Sequence, residues 1–416
     1  TYQWSNGSAD QTISVSASGS YTVTVTDLNG CSTTSAATAV TVTPLPTVAS
    51  ITGNTGVCVG STTTMSSATT GGVWTSSNTG VATISTGGVV TGVTAGTTTI
   101  TYTVTVGGCT NTATTTVTVN SLPTATIAAA SATTFCDGGS VTLMGPSAPA
   151  GMTYTYVWNL NGTAITGATG NTYIAAASGS YTVTVTNNNG CSATSAATVV
   201  TENPLPTVAA ITGTTSVCVG SGTTLANATT GGTWSSSNTA TATVNASTGV
   251  VTGVNAGTVT ITYTVTDANG CINTATATVT VNALPTPTIT ASGATTFCSG
   301  SSVVLTASSA STYQWNLNGT AIAGATSATY TATAAGSYSV TVTNANGCTA
   351  TSGATSVTVN ALPTATVTAG GSTTICDGTS VSLSANAGTG YTYQWSNGSA
   401  DQTISVSASG SYTVTV

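Results

Sequence analysis

The chain has 416 residues without a single Lys, Arg or His, and seven acidic side chains give it a formal charge of −7. With no cation to neutralise phosphates, nucleic-acid binding is excluded, and so is electrostatic attraction to anionic lipid headgroups. No apolar run approaches the ~18 residues that span a bilayer, and a 39% hydrophobic content in a sequence rich in β-branched Val and Thr argues for a folded all-β protein rather than a disordered one.

Residues Thr1–Val25 (TYQWSNGSADQTISVSASGSYTVTV) recur letter for letter at Thr392–Val416, a period of 391. A shorter period lies inside it. The phrase x-Leu-Pro-Thr stands at Pro46, Pro123, Pro206, Pro285 and Pro363, at intervals of 77, 83, 79 and 78 residues. A fixed period of this size marks a tandem array of small domains, joined here by short, stiff Pro linkers. Residues 1–43 read as the C-terminal part of one module and residues 361–416 as the N-terminal part of its copy, so neither end reads as a natural terminus.

Residues 44–120 form the first whole module, with GGVWTSSNTGVATISTGGVVTGVTAGTTTITYTVT from Gly71 onward. Residues 121–203 form a second kind. Val141 and Leu143 fall on one face of a strand, as do Tyr154, Tyr156 and Trp158. Asn161-Gly162 then reads as a type I′ hairpin turn, since both central positions of that turn need positive φ. In Tyr181-Thr-Val-Thr-Val-Thr the residues Tyr181, Val183 and Val185 share one face. Residues 204–282 repeat the first kind, with GGTWSSSNTATATVNASTGVVTGVNAGTVTITYTVT near Gly231, and residues 283–360 repeat the second, with its turn at Asn318-Gly319. The part-module 361–416 carries the same signal at Asn397-Gly398. About seven short strands per module, separated by turns, suit a β-sandwich.

Each whole module has one Trp between two Cys, in the order Cys58, Trp74, Cys109; Cys136, Trp158, Cys191; Cys218, Trp234, Cys271; and Cys298, Trp315, Cys348. The part-modules hold Trp4 before Cys31 and Cys376 before Trp395. Paired cysteines without C-x-x-C spacing favour structural disulfides over metal ligation and place the chain in an oxidising compartment. The order resembles the immunoglobulin pattern, in which a Trp packs on a disulfide. That resemblance implies core positions for the six Trp and one disulfide per module: Cys58–Cys109, Cys136–Cys191, Cys218–Cys271 and Cys298–Cys348, with Cys31 and Cys376 bonded to partners beyond this stretch. Each such staple would close a loop of about 50 residues at one end of the sandwich, worth about 4 kcal/mol in the chain-entropy model.

WSSSNTATATV from Trp234 and GVVTGVNAGTVTITYTV from Gly249 resemble bacterial immunoglobulin-like group 2 domains, as found in intimin- and invasin-type adhesins. Cys-Asp-Gly at Cys136, Tyr-x-Trp at Tyr156 and GSYTVTVTNNNGC from Gly179 are similar to the PKD-like, Ig-like repeats of very large surface proteins of Bacteroidetes, gliding-motility adhesins of the type IX secretion system among them. These resemblances imply an elongated, all-β tandem array of small Ig-like sandwiches at the cell surface, acting as a stalk or filament. Its partners would be neighbouring repeats, or identical chains in a fibre. Adhesive repeats that bind a ligand or glycan directly are the other function such an array serves.

Catalysis has no visible constellation, because no His or Lys is present to activate a nucleophile and the acids Asp10, Asp27, Asp137, Glu202, Asp267, Asp377 and Asp401 are scattered. No cofactor is expected. Calcium is the one metal with candidate ligands, at Asp27-Leu-Asn-Gly and Asp267-Ala-Asn-Gly; an Asx turn closing a hairpin accounts for the same residues. Asn6, Asn161, Asn227, Asn245, Asn318 and Asn397 stand in Asn-x-Ser/Thr sequons, most of them also Asn-Gly turns. Tyr21, Tyr181, Tyr338 and Tyr412 follow Gly-Ser at a strand start, the position of a tyrosine corner.

Overall fold

Every element in the computed structural model, which describes residues 1–416, is a strand, turn or bend, as the scarcity of helix formers requires. The chain divides into two compact units, 1–205 and 206–416. Each is a tandem series of Ig-like β-sandwiches.

In the first unit, residues 44–120 make seven strands in two sheets. One sheet has Val89–Gly92 between Thr62–Thr64 and Ala82–Ile84. The other is dominated by a long hairpin, Gly96–Val106 against Cys109–Asn120, in register from Gly96↔Val119 to Val106↔Cys109. Its turn, Gly107-Gly108, has φ of +58° and +82°, the type I′ geometry that glycine reaches without strain. Strict alternation along Gly96–Val106 turns Thr98, Ile100, Tyr102 and Val104 inward. Ile100 meets Val57, Met65, Val90, Val117 and Val119, with Trp74 packed half-buried against this core and against Tyr102.

Residues 121–203 form the second kind of sandwich, with nine strands. A three-stranded sheet orders Ala128–Ala129, Val141–Met144 and Thr172–Ala175. The facing sheet has Gly179–Asn187 between Tyr154–Leu160 and Thr198–Asn203. Val141, Leu143, Trp158, Tyr181, Val183, Val185 and Val200 are all at most 1% exposed and fill the space between. Asn161 and Gly162 have φ of +50° and +83°, and Asn318 and Gly319 have +54° and +81°, so both are type I′ turns. At Asn397-Gly398 only the glycine has positive φ, and the turn spans Trp395 to Ser399 instead.

The second unit repeats this plan. Residues 204–282 repeat the strand order of 44–120 with one strand added, Thr212–Gly213, and with the hairpin Gly257–Thr266 against Ile272–Asn282. Residues 283–360 repeat 121–203 around Trp315, and residues 361–416 pack Val381, Leu383, Trp395, Ile404 and Val406 together.

Two expectations about the core need correction. Trp158, Trp315, Trp395 and Trp234 are buried, but Trp4 and Trp74 are only half-buried. Trp74 lies near the sandwich edge against Tyr102, ring centroids 4.5 Å apart. Trp4 stands in residues 1–43, where Thr12–Val15 form no strand, whereas their sequence copies Thr403–Val406 pair with Val381–Ser384 and cover Trp395.

Candidate functional site: the joint between modules

The disulfides correct the expected pairing, because each described bond joins successive modules rather than closing one. Cys58 is bonded to Cys191, and Cys218 to Cys348, with Cα atoms 5.6 Å apart in each pair. Cys136 and Cys271 are also disulfide-bonded. Since Cys191 belongs to Cys58 and Cys218 to Cys348, neither Cys136–Cys191 nor Cys218–Cys271 exists. Cys109 and Cys298 are free thiols, so Cys58–Cys109 and Cys298–Cys348 do not exist either; Cys31 and Cys376 are also free.

The reason is the length of one strand. The short strand Gly56–Cys58 runs parallel to Thr118–Asn120, so Cys58 sits beside Asn120, the last residue of its module. Cys109 begins the strand that Asn120 ends. Eleven residue steps at ~3.3 Å put it about 36 Å away, whereas a disulfide needs Cα atoms within ~7 Å. In residues 121–203 the same separation arises differently. Cys136 pairs with Asn203 at one pole, while Cys191 follows the turn beyond Asn187 at the other end of Gly179–Asn187. Residues 44–120 and 121–203 therefore each carry one cysteine at the C-terminal pole and one at the N-terminal pole, and Cys58 finds its partner, Cys191, in the module that follows.

Both cysteines of a staple converge on the residue that ends the earlier module. Val59 N–H, next to Cys58, donates to Asn120 O at 3.0 Å, and Cys191 Sγ lies 4.0 Å from that same carbonyl. Val219 N–H donates to Asn282 O at 3.0 Å, with Cys348 Sγ 3.9 Å away. The linker beyond is held by an asparagine amide of the following module. Asn187 Nδ2 donates to Ser121 O at 3.0 Å and Asn344 Nδ2 to Ala283 O at 3.0 Å. In the other kind of module the donor comes from the strand: Asn111 Nδ2 to Pro46 O and Asn273 Nδ2 to Pro206 O, both at 2.9 Å. Each joint described here thus combines a hydrogen-bonded linker with a cysteine position at the module's last residue.

The candidate calcium residues lie in these polar turns. Asp27 Oδ1 accepts the N–H groups of Asn29 and Cys31, both at 2.9 Å, and Asp267 Oδ1 accepts those of Asn269 and Cys271 at 2.9 and 2.8 Å. Asn187 and Asn344 make the same pair of bonds through Oδ1. All four are Asx turns that set the N–H of the following cysteine. The asparagines have an amide left over to hold the linker, which a carboxylate cannot supply.

Tyr181 and Tyr338, buried to 1% exposure, donate their hydroxyls to Ala177 O and Ala334 O at 3.0 Å, and Tyr21 and Tyr412 do the same to Ala17 O and Ala408 O. These four-residue back-bonds have the geometry of a tyrosine corner. Burial pushes the phenols of Tyr156, Tyr181 and Tyr338 above their ordinary value. Neither the linker-holding role of these asparagines nor the pole positions of the cysteines was identified from sequence. The signal for the second cysteine was present, in the unbroken twelve-residue alternation from Cys109 to Asn120.

Residues 205–275 match the bacterial Ig-like domain (group 2) family model. No curated protein matches the chain. Among solved structures it is similar to the N-terminal eight Ig domains of Down Syndrome Cell Adhesion Molecule, at 14% identity over 92% of this chain and 66% of that one, with a TM-score of 0.22. It is also similar to the D1–D4 ectodomain fragment of ICAM-5 (12% identity, 75% of this chain, 99% of that one, TM-score 0.32) and to extracellular domains 3–5 of Drosophila OTK (15%, 55%, 93%, TM-score 0.21). The chain is therefore a tandem Ig-like array in which residues 205–275 are similar to a group 2 bacterial Ig-like domain, and residues 44–120 repeat the strand order of that module.

Proposed function

We propose that this chain is a segment of an extracellular structural stalk or filament, of the kind that carries adhesins of giant bacterial surface proteins, and that its task is mechanical. The observation that carries the reading is the placement of the staples across joints. A disulfide inside a domain protects that domain, whereas one from Cys58 to Cys191 carries tension past a joint and past most of two modules. The bonded loops span 133 and 130 residues. In the chain-entropy model each is worth about 5 kcal/mol. Fully extended, ~130 residues reach on the order of 450 Å, and all of that length is withheld while the bond stands. Staples of this sort belong to an oxidising, extracytoplasmic setting, and an array so poor in charge and without Lys offers no tryptic site.

Pulling single chains from their two ends tests the reading. Under oxidising conditions the length between Cys58 and Cys191 should never be released, and reductant should add steps on the order of 270 Å as whole modules of roughly 75–80 residues extend. Module-sized steps of that length from residues 59–190 in the oxidised chain would overturn it.

A further inference from the structure

We propose that the groove beside the Cys58–Cys191 staple is a binding site for a neutral saccharide, formed by side chains of two successive modules. The chemistry of the groove carries this inference, which holds with or without the mechanical role above.

The groove measures ≈ 340 Å³ and is lined by Asn54, Gly56, Ser61, Thr62, Asn120 and Asn189 among others. That volume lies within the ~300–1,000 Å³ of small-molecule sites. The strand Gly56–Cys58 runs parallel to Thr118–Asn120, which brings Gly56 and Asn120 to the same wall. The strand Thr62–Thr64 of the facing sheet supplies hydroxyls. Asn189 comes from the following module, on the turn whose Asn187 Oδ1 accepts the N–H groups of Asn189 and Cys191. Cys58 is itself part of the wall, so the staple holds the two contributing modules together at this point.

One missing side chain opens the groove. In residues 204–282 the position of Gly56 is taken by Ser216 and that of Asn120 by Asn282, and the two strands pair in the same register. There Asn282 Nδ2 donates to Ser216 Oγ at 2.8 Å. In residues 44–120 a Cβ on Gly56 would lie 3.8 Å from Asn120 Nδ2 and 3.7 Å from Asn54 Oδ1, both ordinary contacts. No hydroxyl stands at Gly56 to take the place of Ser216 Oγ, so the Asn120 amide is left facing the groove.

The lining decides the class of ligand. None of the groove residues is charged, and the chain has no Lys, Arg or His with which to pair a phosphate, sulfate or carboxylate. With no acid in the lining, a cation has no counter-charge either. What the groove offers is amides and hydroxyls, which donate and accept at once: Asn54, Asn120 and Asn189 with Ser61 and Thr62. Sugar hydroxyls have the same double capacity, spaced around a ring. A bound peptide instead draws specificity from pockets for its side chains, and no such apolar pocket lies in this wall. The groove also lacks an aromatic ring, so recognition rests on hydrogen bonds and affinity should be weak.

The test is NMR on the oxidised full chain, with glucose, galactose and N-acetylglucosamine as neutral probes and glucuronate as the charged one. Saturation transfer to at least one neutral sugar is expected. In chain isotopically labelled at asparagine, the same sugar should shift the side-chain amides of Asn54, Asn120 and Asn189. Glucuronate should bind more weakly. Gly56→Ser places a hydroxyl where it can take the Asn120 amide, as Ser216 takes that of Asn282, and should weaken binding about tenfold. Asn120→Ala, which removes the amide, should weaken it by a similar factor. Mass spectrometry that finds Cys58 still bonded to Cys191 in both variants shows that they fold. Silence from all three neutral sugars, shifts confined to other asparagines, equal binding of glucuronate, or unchanged binding by Gly56→Ser would each overturn the site and leave the stapled joint standing.

Discussion

The two kinds of module reach the same joint by different local means. In residues 44–120 a long hairpin carries one cysteine to the far pole, Trp74 is half-buried, and the strand residue Asn111 holds the linker. In residues 121–203 the hairpin is shorter, Trp158 is fully buried, a tyrosine corner ties Tyr181, and the turn residue Asn187 holds the linker. Core and turn chemistry differ, yet each module presents a cysteine at each pole. What the two share is the architecture of the joint.

Substitutions can break that comparison. The largest effect is expected at the staple. Cys58→Ser and Cys191→Ser should each destabilise the paired modules by about 5 kcal/mol, and the double variant should cost no more than either alone. Cys109→Ser should change stability by less than about 0.5 kcal/mol; chemical denaturation reads all four. Next comes the core. Trp158→Ala should cost about 3–5 kcal/mol, and Trp74→Ala, already half in water, clearly less in the same assay. At the linker, Asn187→Asp keeps the oxygen that caps Asn189 and Cys191 but loses the amide that holds Ser121, a loss of about 1 kcal/mol. Hydrogen exchange should quicken in the linker after Asn120 and not in the core of 121–203.

The smallest effect is alkaline. Tyr156, Tyr181 and Tyr338 keep their protons to higher pH in the folded chain than the ordinary value of 10.0, because burial disfavours the phenolate. The unfolded chain therefore loses those protons first. The stability they contribute is intact below pH 10 and falls as pH rises through the raised native values. Phe at position 181 should weaken that dependence in urea melts above pH 10.

Much of the fold was legible because it is local. Alternation placed Tyr181, Val183 and Val185 on one face, and Asn161-Gly162 specified its turn, since both signals act within a few residues. At Asn397 the same dipeptide made another turn, because the hairpin around it closes from Trp395 to Ser399. The staples were not legible. The order Cys, Trp, Cys records sequence but not pole, and the pole of Cys58 follows from its parallel pairing with Thr118–Asn120, some 60 residues on. Parallel pairing at that range leaves no local pattern.

The central claim is that disulfides cross the joints. Its most direct test is a digest of the oxidised chain with thermolysin under non-reducing, thiol-blocked conditions, followed by mass spectrometry of the linked peptides. The account predicts Cys58 linked to Cys191 and Cys218 linked to Cys348. Cys58 linked to Cys109, or Cys136 to Cys191, would contradict it.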